Sequence, residues 1–252
     1  MPVIHNSRRP LLSGDGTFAL TFGNVKKALD KQFIVVLNVN LDRGNYYTTS
    51  TFLDFLVKEQ MAKYKNFRIG FSIIKQGPHA YNPEYFKNNQ FQSEEEEADI
   101  LLYCYRAALM RNLHIVDPIS GGFCTFRVAN NFIIDYKGDI YKCISLTGNK
   151  EAYLGNIQEP LSSIYRRLSQ YLSPMPWISN EGCYNCKLLP LCLGGCAQQA
   201  LLRSGSQFNM MCLRQFLQTY VPEAVKIKYD LETLFPEESN ISVVNLKEIL
   251  RL

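Results

Sequence analysis

The sequence predicts an α/β chain whose later part is a small, cysteine-rich α+β unit. Three observations carry this. Helical periodicity alternates with short apolar runs through the first part of the chain. One such run, Phe33-Ile34-Val35-Val36-Leu37, is apolar throughout and partly β-branched, as buried strands of a parallel sheet are. Four thiols also crowd into Cys183-Tyr-Asn-Cys186-Lys-Leu-Leu-Pro-Leu-Cys192-Leu-Gly-Gly-Cys196, on short loops that can bend inward together where one helix or strand would not.

Taken in order, His5-Asn-Ser-Arg8-Arg9-Pro10 reads as a polar loop ending at the glycines of Leu12-Ser-Gly-Asp-Gly-Thr17. Phe18, Phe22, Val25 and Leu29 recur at helical spacing and predict an amphipathic helix over 17–31. After the strand at Phe33, one of Thr48, Thr49 or Ser50 caps a helix over 50–64 that turns Phe52, Phe55, Leu56 and Met61 inward. Residues 67–74 form the next strand. Residues 75–92 are polar, hold Pro78 and Pro83, and read as a long loop that can line a substrate opening.

Ser93 and the four glutamates after it open a helix to about Asn112, where the macrodipole favours acidic side chains in a solvated first turn. Cys104, on the apolar side of that helix, reads as a small core residue. Ser120-Gly121-Gly122 then interrupts the periodicity. Residues 132–144 alternate about Asp135-Tyr-Lys-Gly138-Asp139, a hairpin that returns Cys143 toward Cys124. A helix over 159–172 stops at Pro174-Met-Pro176-Trp177, and another over 197–203 stops at Gly205. A third begins near Cys212 with Leu213, Phe216, Leu217 and Tyr220 inward, and Pro222 is expected to kink or divide it. Leu246, Ile249 and Leu250 mark a short helix or a docked tail.

Composition bounds the function. A chain of 252 residues, 46% hydrophobic and 20% charged, builds one large core or two modest ones. A net charge of +4 over this length implies neither a nucleic-acid nor a membrane surface. No apolar run is long enough for export or spanning. Eight cysteines without a secretory signal predict a reducing, cytoplasmic setting in which clustered thiols are ligands rather than disulfides.

Three further cysteines extend the cluster: Cys124, Cys143 (five residues after Gly138), and Cys212, sixteen residues beyond Cys196. Seven thiols exceed the four that one zinc or one four-iron cluster takes, and fall one short of the eight that saturate two clusters. The count points to two clusters, one with an open iron. Zinc is the competing occupant, since Cys183, Cys186, Cys192 and Cys196 alone suffice for a tetrahedral site.

The order Cys, Gly-x4-Cys, Cys-x2-Cys-x5-Cys-x3-Cys, Cys resembles the SPASM domain of radical SAM enzymes at all seven positions. His5 with Arg8-Arg9-Pro10, Gly16-Thr17-Phe18 and Asn38-Val-Asn40-Leu-Asp42 through Asn45 look like the middle of a radical SAM barrel, from the end of its third strand through its fifth. Asn6 stands where many relatives carry Asp, and Asn38 where they often carry Arg.

The resemblance implies a partial TIM barrel of βα repeats over 1–117, a SPASM domain over 118–220 and a C-terminal helical extension over 221–252. It implies two auxiliary [4Fe-4S] clusters, one on Cys124, Cys143 and Cys196, the other on Cys183, Cys186, Cys192 and Cys212. Asn130 occupies the place of an eighth cysteine found in some relatives, which leaves the first cluster an open iron. Asn40 and Asn45 fall on the S-adenosylmethionine side, although for Asn45 alone a turn role is the better reading.

Radical chemistry in this family needs Cys-x3-Cys-x2-Cys, and no cysteine precedes Cys104. The chain is therefore expected to be the downstream part of a longer enzyme or the partner of a separately encoded N-terminal radical SAM half, with S-adenosylmethionine bound only in its company. The expected role is in a maturase of a peptide or protein substrate, with an electron donor such as flavodoxin or ferredoxin. The other reading is a non-enzymatic iron-sulfur or zinc module that docks peptide or passes electrons to a partner.

Overall fold

Residues 2–75, 83–119, 124–172 and 180–229 are described by the structure, a computed structural model. They form a mixed α/β protein of two compact units: among the described residues one comprises 2–74, 88–119 and 218–229, the other 75, 83–87, 124–172 and 180–217. The sequence expectations for 76–82, 120–122, 174–177 and 246–250 lie outside the described residues.

In the first unit, α1 (Pro2–Arg8) is a helix where a loop is expected. Its side chains are used: His5 Nε2 lies 3.0 Å from Thr17 Oγ1, Asn6 Oδ1 accepts from the Phe18 amide at 2.9 Å, and Arg8 pairs with Asp42. These bonds tie α1 to the start of α2 (Phe18–Asp30) and to the end of β1 (Val35–Leu41). The rings of Phe18 and Phe22 meet Phe55 of α3 (Thr49–Lys58). Helix α3 stops earlier than expected because Gln60 turns left-handed, with φ 57°, before a short 3₁₀ turn that buries Met61.

Strand β2 (Phe67–Ile73) pairs parallel with β1 in a two-stranded sheet, Val35 opposite Phe67 and Leu41 opposite Ile73. Strand β1 starts two residues later than the apolar run. Phe33 and Ile34 stay exposed, and Val36 is 54% exposed, so only one face of β1 is buried among the described residues. Helix α4 (Pro83–Asn89) replaces part of the expected loop. In α5 (Glu94–Leu109), Ser93 Oγ accepts from the Glu96 amide at 3.1 Å, a side-chain N-cap that fixes the acidic first turn. Cys104 is fully buried.

The second unit is built on β3 (Ile133–Ile134), β4 (Asp139–Tyr141) and β5 (Tyr153–Asn156), an antiparallel sheet in that order. The β3–β4 turn follows from its sequence: Asp135 Oδ1 accepts from the Lys137 and Asp139 amides, and Gly138 takes φ 83°. Helix α6 (Leu161–Leu172) covers the sheet through Ile164 and Leu168, which pack with Phe126, Leu146, Leu154 and Tyr171. Two helical turns, α7 (Glu181–Tyr184) and α8 (Leu189–Cys192), precede α9 (Ala197–Ser204), which ends at left-handed Gly205.

The last described helix, α10 (Arg214–Tyr229), runs through Pro222 without division. Contacts within the first unit explain why. Tyr220 Oη donates to Pro118 O at 2.9 Å, Glu223 pairs with Arg106, and Lys228 pairs with Asp117, so both sides of the proline are held.

Candidate metal centre

The thiols come together by backbone reversals. Asn180 Oδ1 accepts from the Cys183 amide at 3.1 Å and starts α7; the Cys186 amide then donates to Cys183 O, closing a tight turn between the two sulfurs. Pro190 enters α8 in its first turn, where a missing N–H costs nothing. After Cys192 the chain takes three consecutive left-handed residues, Leu193, Gly194 and Gly195, with φ 46°, 85° and 78°. The reversal carries Cys196 away from Cys192 and gives the Met211 amide a bond to Gly194 O, which brings Cys212 alongside.

Cys183, Cys186, Cys192 and Cys212 consequently line one cavity, with Met210, Met211, Leu188 and Leu189 as its apolar wall. Cys196 does not line it. Cys196 instead interacts with Cys143, which also interacts with Cys124. All eight cysteines are free thiols. Among the described residues, no group of three or more His, Cys, Asp or Glu side chains converges as a single ion requires. The two observations concern different geometries, since a four-iron cluster takes one thiolate on each of four irons and spreads its ligands wider than one ion does. Soft sulfur donors around one apolar cavity suit that group.

The electrostatics separate the thiols. Burial, followed by the neighbouring Cys212, Cys192 and Cys186 sulfurs, pushes the Cys183 thiol up. Burial also raises Cys143, with Cys196 and Cys124 adding to it. Cys186 goes the other way: burial is outweighed by the Leu188 amide and the Arg214 guanidinium, which hold it below the ordinary thiol value. Arg214 and Met210 are neighbours of these thiols that sequence reasoning missed. Met210 Sδ lies 3.3 Å from Cys183 Sγ. The signal for Arg214 was its place two residues after a ligand-type cysteine.

Lys142 is a third omission. It is 1% exposed, and its ammonium donates to the carbonyls of Val128, Ala129 and Asn131. The segment that follows Cys124 is thereby stapled to the strand that ends beside Cys143.

In the first unit the parallel strands carry Asn38, Asn40 and Ser72 on the exposed face: Asn38 Nδ2 donates to Asn40 Oδ1 at 2.9 Å, and Ser72 Oγ donates to Asn38 Oδ1 at 3.0 Å. Asn45 is buried in the turn, where Oδ1 accepts from the Asp42 amide and Nδ2 donates to Asn40 O, each at 2.9 Å. Asp42 is held by both Arg8 nitrogens and the Gly44 amide.

No family model matches this sequence, and no curated protein gives a significant match. Solved structures do share its fold. Native anSMEcpe with bound AdoMet and Kp18Cys peptide superposes with a TM-score of 0.64 at 16% identity, over 92% of this chain and 67% of that one. The same protein with AdoMet and Cp18Cys peptide gives 0.61 at 16% identity, over 91% and 67%. With AdoMet alone it gives 0.60 at 16% identity, over 92% and 66%. The chain therefore shares the fold of about two thirds of that protein. No helix among the described residues is long and apolar enough to cross a membrane.

Proposed function

We propose that this chain is the auxiliary iron-sulfur portion of a radical SAM maturase acting on a peptide or protein. In this reading, 1–117 form part of a TIM barrel, 118–220 a SPASM domain and 221–252 a helical extension. Cys183, Cys186, Cys192 and Cys212 hold one four-iron cluster, and Cys124, Cys143 and Cys196 hold another with an open iron. The observation that carries the reading is the partition of the thiols: the first four line one cavity, and Cys196, from the same short run, interacts with Cys143 instead. A single zinc site on Cys183, Cys186, Cys192 and Cys196 is not supported by that partition.

Bound there, such clusters supply one-electron acceptance and release. The chain's own residues position the thiols, exclude water through Met210, Met211, Leu188 and Leu189, and present a cation at Cys186. The solved neighbours were obtained with AdoMet and with peptides, which supports a peptide partner and S-adenosylmethionine in the complete enzyme. Asn40, at the carboxyl end of a parallel strand, stands where such sheets place ligands. Asn45 supports that end as a turn residue. The sequence holds no Cys-x3-Cys-x2-Cys, so the chain by itself does not cleave S-adenosylmethionine in this reading.

Anaerobic reconstitution with iron and sulfide tests this. About eight irons and eight sulfides per chain are expected. About four irons or fewer, or zinc without sulfide, overturns the assignment.

A further inference from the structure

Arg214 is the one charged side chain lining the cavity of Cys183, Cys186, Cys192 and Cys212 among the described residues. Every other lining residue is a cysteine, methionine, leucine or glycine. Its guanidinium reaches Gly182 O at 3.5 Å, and its positive charge stands beside the Cys186, Cys212 and Cys183 sulfurs that line the same cavity. As the first residue of α10 it stands two positions from Cys212, so one fork of donors engages the loop of Cys183 and Cys186 from the segment that carries Cys212.

We infer that Arg214 is a positioning residue for this thiol set, which fixes the Cys186 sulfur and sets the reduction potential of the group held there. The inference rests on the cluster reading above. Four thiolates concentrate negative charge in an apolar cavity, and each added electron increases it. A cation beside these sulfurs favours the more negative, reduced state and raises the potential. The Met, Leu and Gly walls carry no other charge, so replacing Arg214 is the one change among the lining residues that alters the charge at these thiols.

The test compares reconstituted wild-type protein with Arg214→Gln and Arg214→Lys in redox titrations followed by electron paramagnetic resonance. In Arg214→Gln, one of two reduction potentials is expected to fall while the other and the iron count stay put. Arg214→Lys, which keeps the charge but not the fork, is expected to recover part of the shift. The inference is overturned if neither potential moves, if both move together, or if Arg214→Gln loses iron that Arg214→Lys does not restore. Absence of iron and sulfide from the wild-type protein strikes the cluster reading itself, and is seen before any variant is compared.

Discussion

Gly195 and Met211 touch backbone to backbone: a Cβ added at Gly195 would fall 2.0 Å from the Met211 carbonyl oxygen. This approach, with the Met211 amide bonded to Gly194 O, holds Cys212 at the loops of the other three thiols. Gly195→Ala is therefore expected to lower stability by at least about 2 kcal/mol, from the left-handed backbone and the clash together, and to release the iron of that site. Gly205→Ala, left-handed but with open space around its Cβ, is expected to cost about 1 kcal/mol and no iron. Denaturant unfolding and iron analysis of the two variants decide it.

Cys104 and Cys192 separate a core thiol from a proposed ligand thiol. Burial pushes the Cys104 thiol up to about 11, so it remains protonated at neutral pH. Cys104→Ala should keep the full iron count and lose about 1–2 kcal/mol through the small cavity it leaves. Cys192→Ser should lower the count from about eight irons to about four.

Asn45 and Asn40 differ in the same way in the first unit. Asn45→Ala leaves the Asp42 amide and the Asn40 carbonyl without their side-chain partner, and is expected to cost about 1–3 kcal/mol. Asn40→Ala removes an exposed contact with Asn38, and its effect should stay within about 0.5 kcal/mol. Chemical denaturation of both variants is the measurement.

Tyr153 and Glu159 give the second unit a pH signature. Tyr153 Oη donates to Glu159 Oε1 at 2.6 Å, and Arg167 donates to Glu159 Oε2. The bond to Glu159, then burial, raises Tyr153 from 10.0 to about 12. Its contribution to stability is complete below pH 10 and is lost as pH rises through about 12. Glu159 is held below 4.5, first by the Tyr153 hydroxyl and then by Arg167, so its contribution is present above pH 4.5 and lost as pH falls through the lowered value. A near-ultraviolet titration of wild-type protein against Tyr153→Phe should isolate one late tyrosine, and Glu159→Gln should return it toward 10.

Much of this was legible from local chemistry. The Ser93 cap, the Asp135–Gly138 turn and the end of α9 at Gly205 each follow from a side chain or a φ angle that acts within a few residues. Long-range partners decided the rest. α1 is helical with His5, Asn6 and Arg8 tied to Thr17, Phe18 and Asp42, residues remote in sequence. Pro222 does not divide α10 because Tyr220, Glu223 and Lys228 hold it on both sides. The apolar run at Phe33 predicted burial on both faces, whereas Val36 lies on a face that the described residues leave open. Spacing alone displayed the cysteines; Arg214 and Lys142 emerged only from the folded chain, because cations near thiols look like ordinary surface charges in a sequence.

The left-handed reversal at Leu193, Gly194 and Gly195 has one more effect. Cys192 and Cys196 face different thiol sets yet are joined by four residue steps, a tether that cannot extend beyond about 14 Å. Whatever the two sets hold stays adjacent by covalent connection, so even a loosened fold keeps both occupants within a short leash of each other.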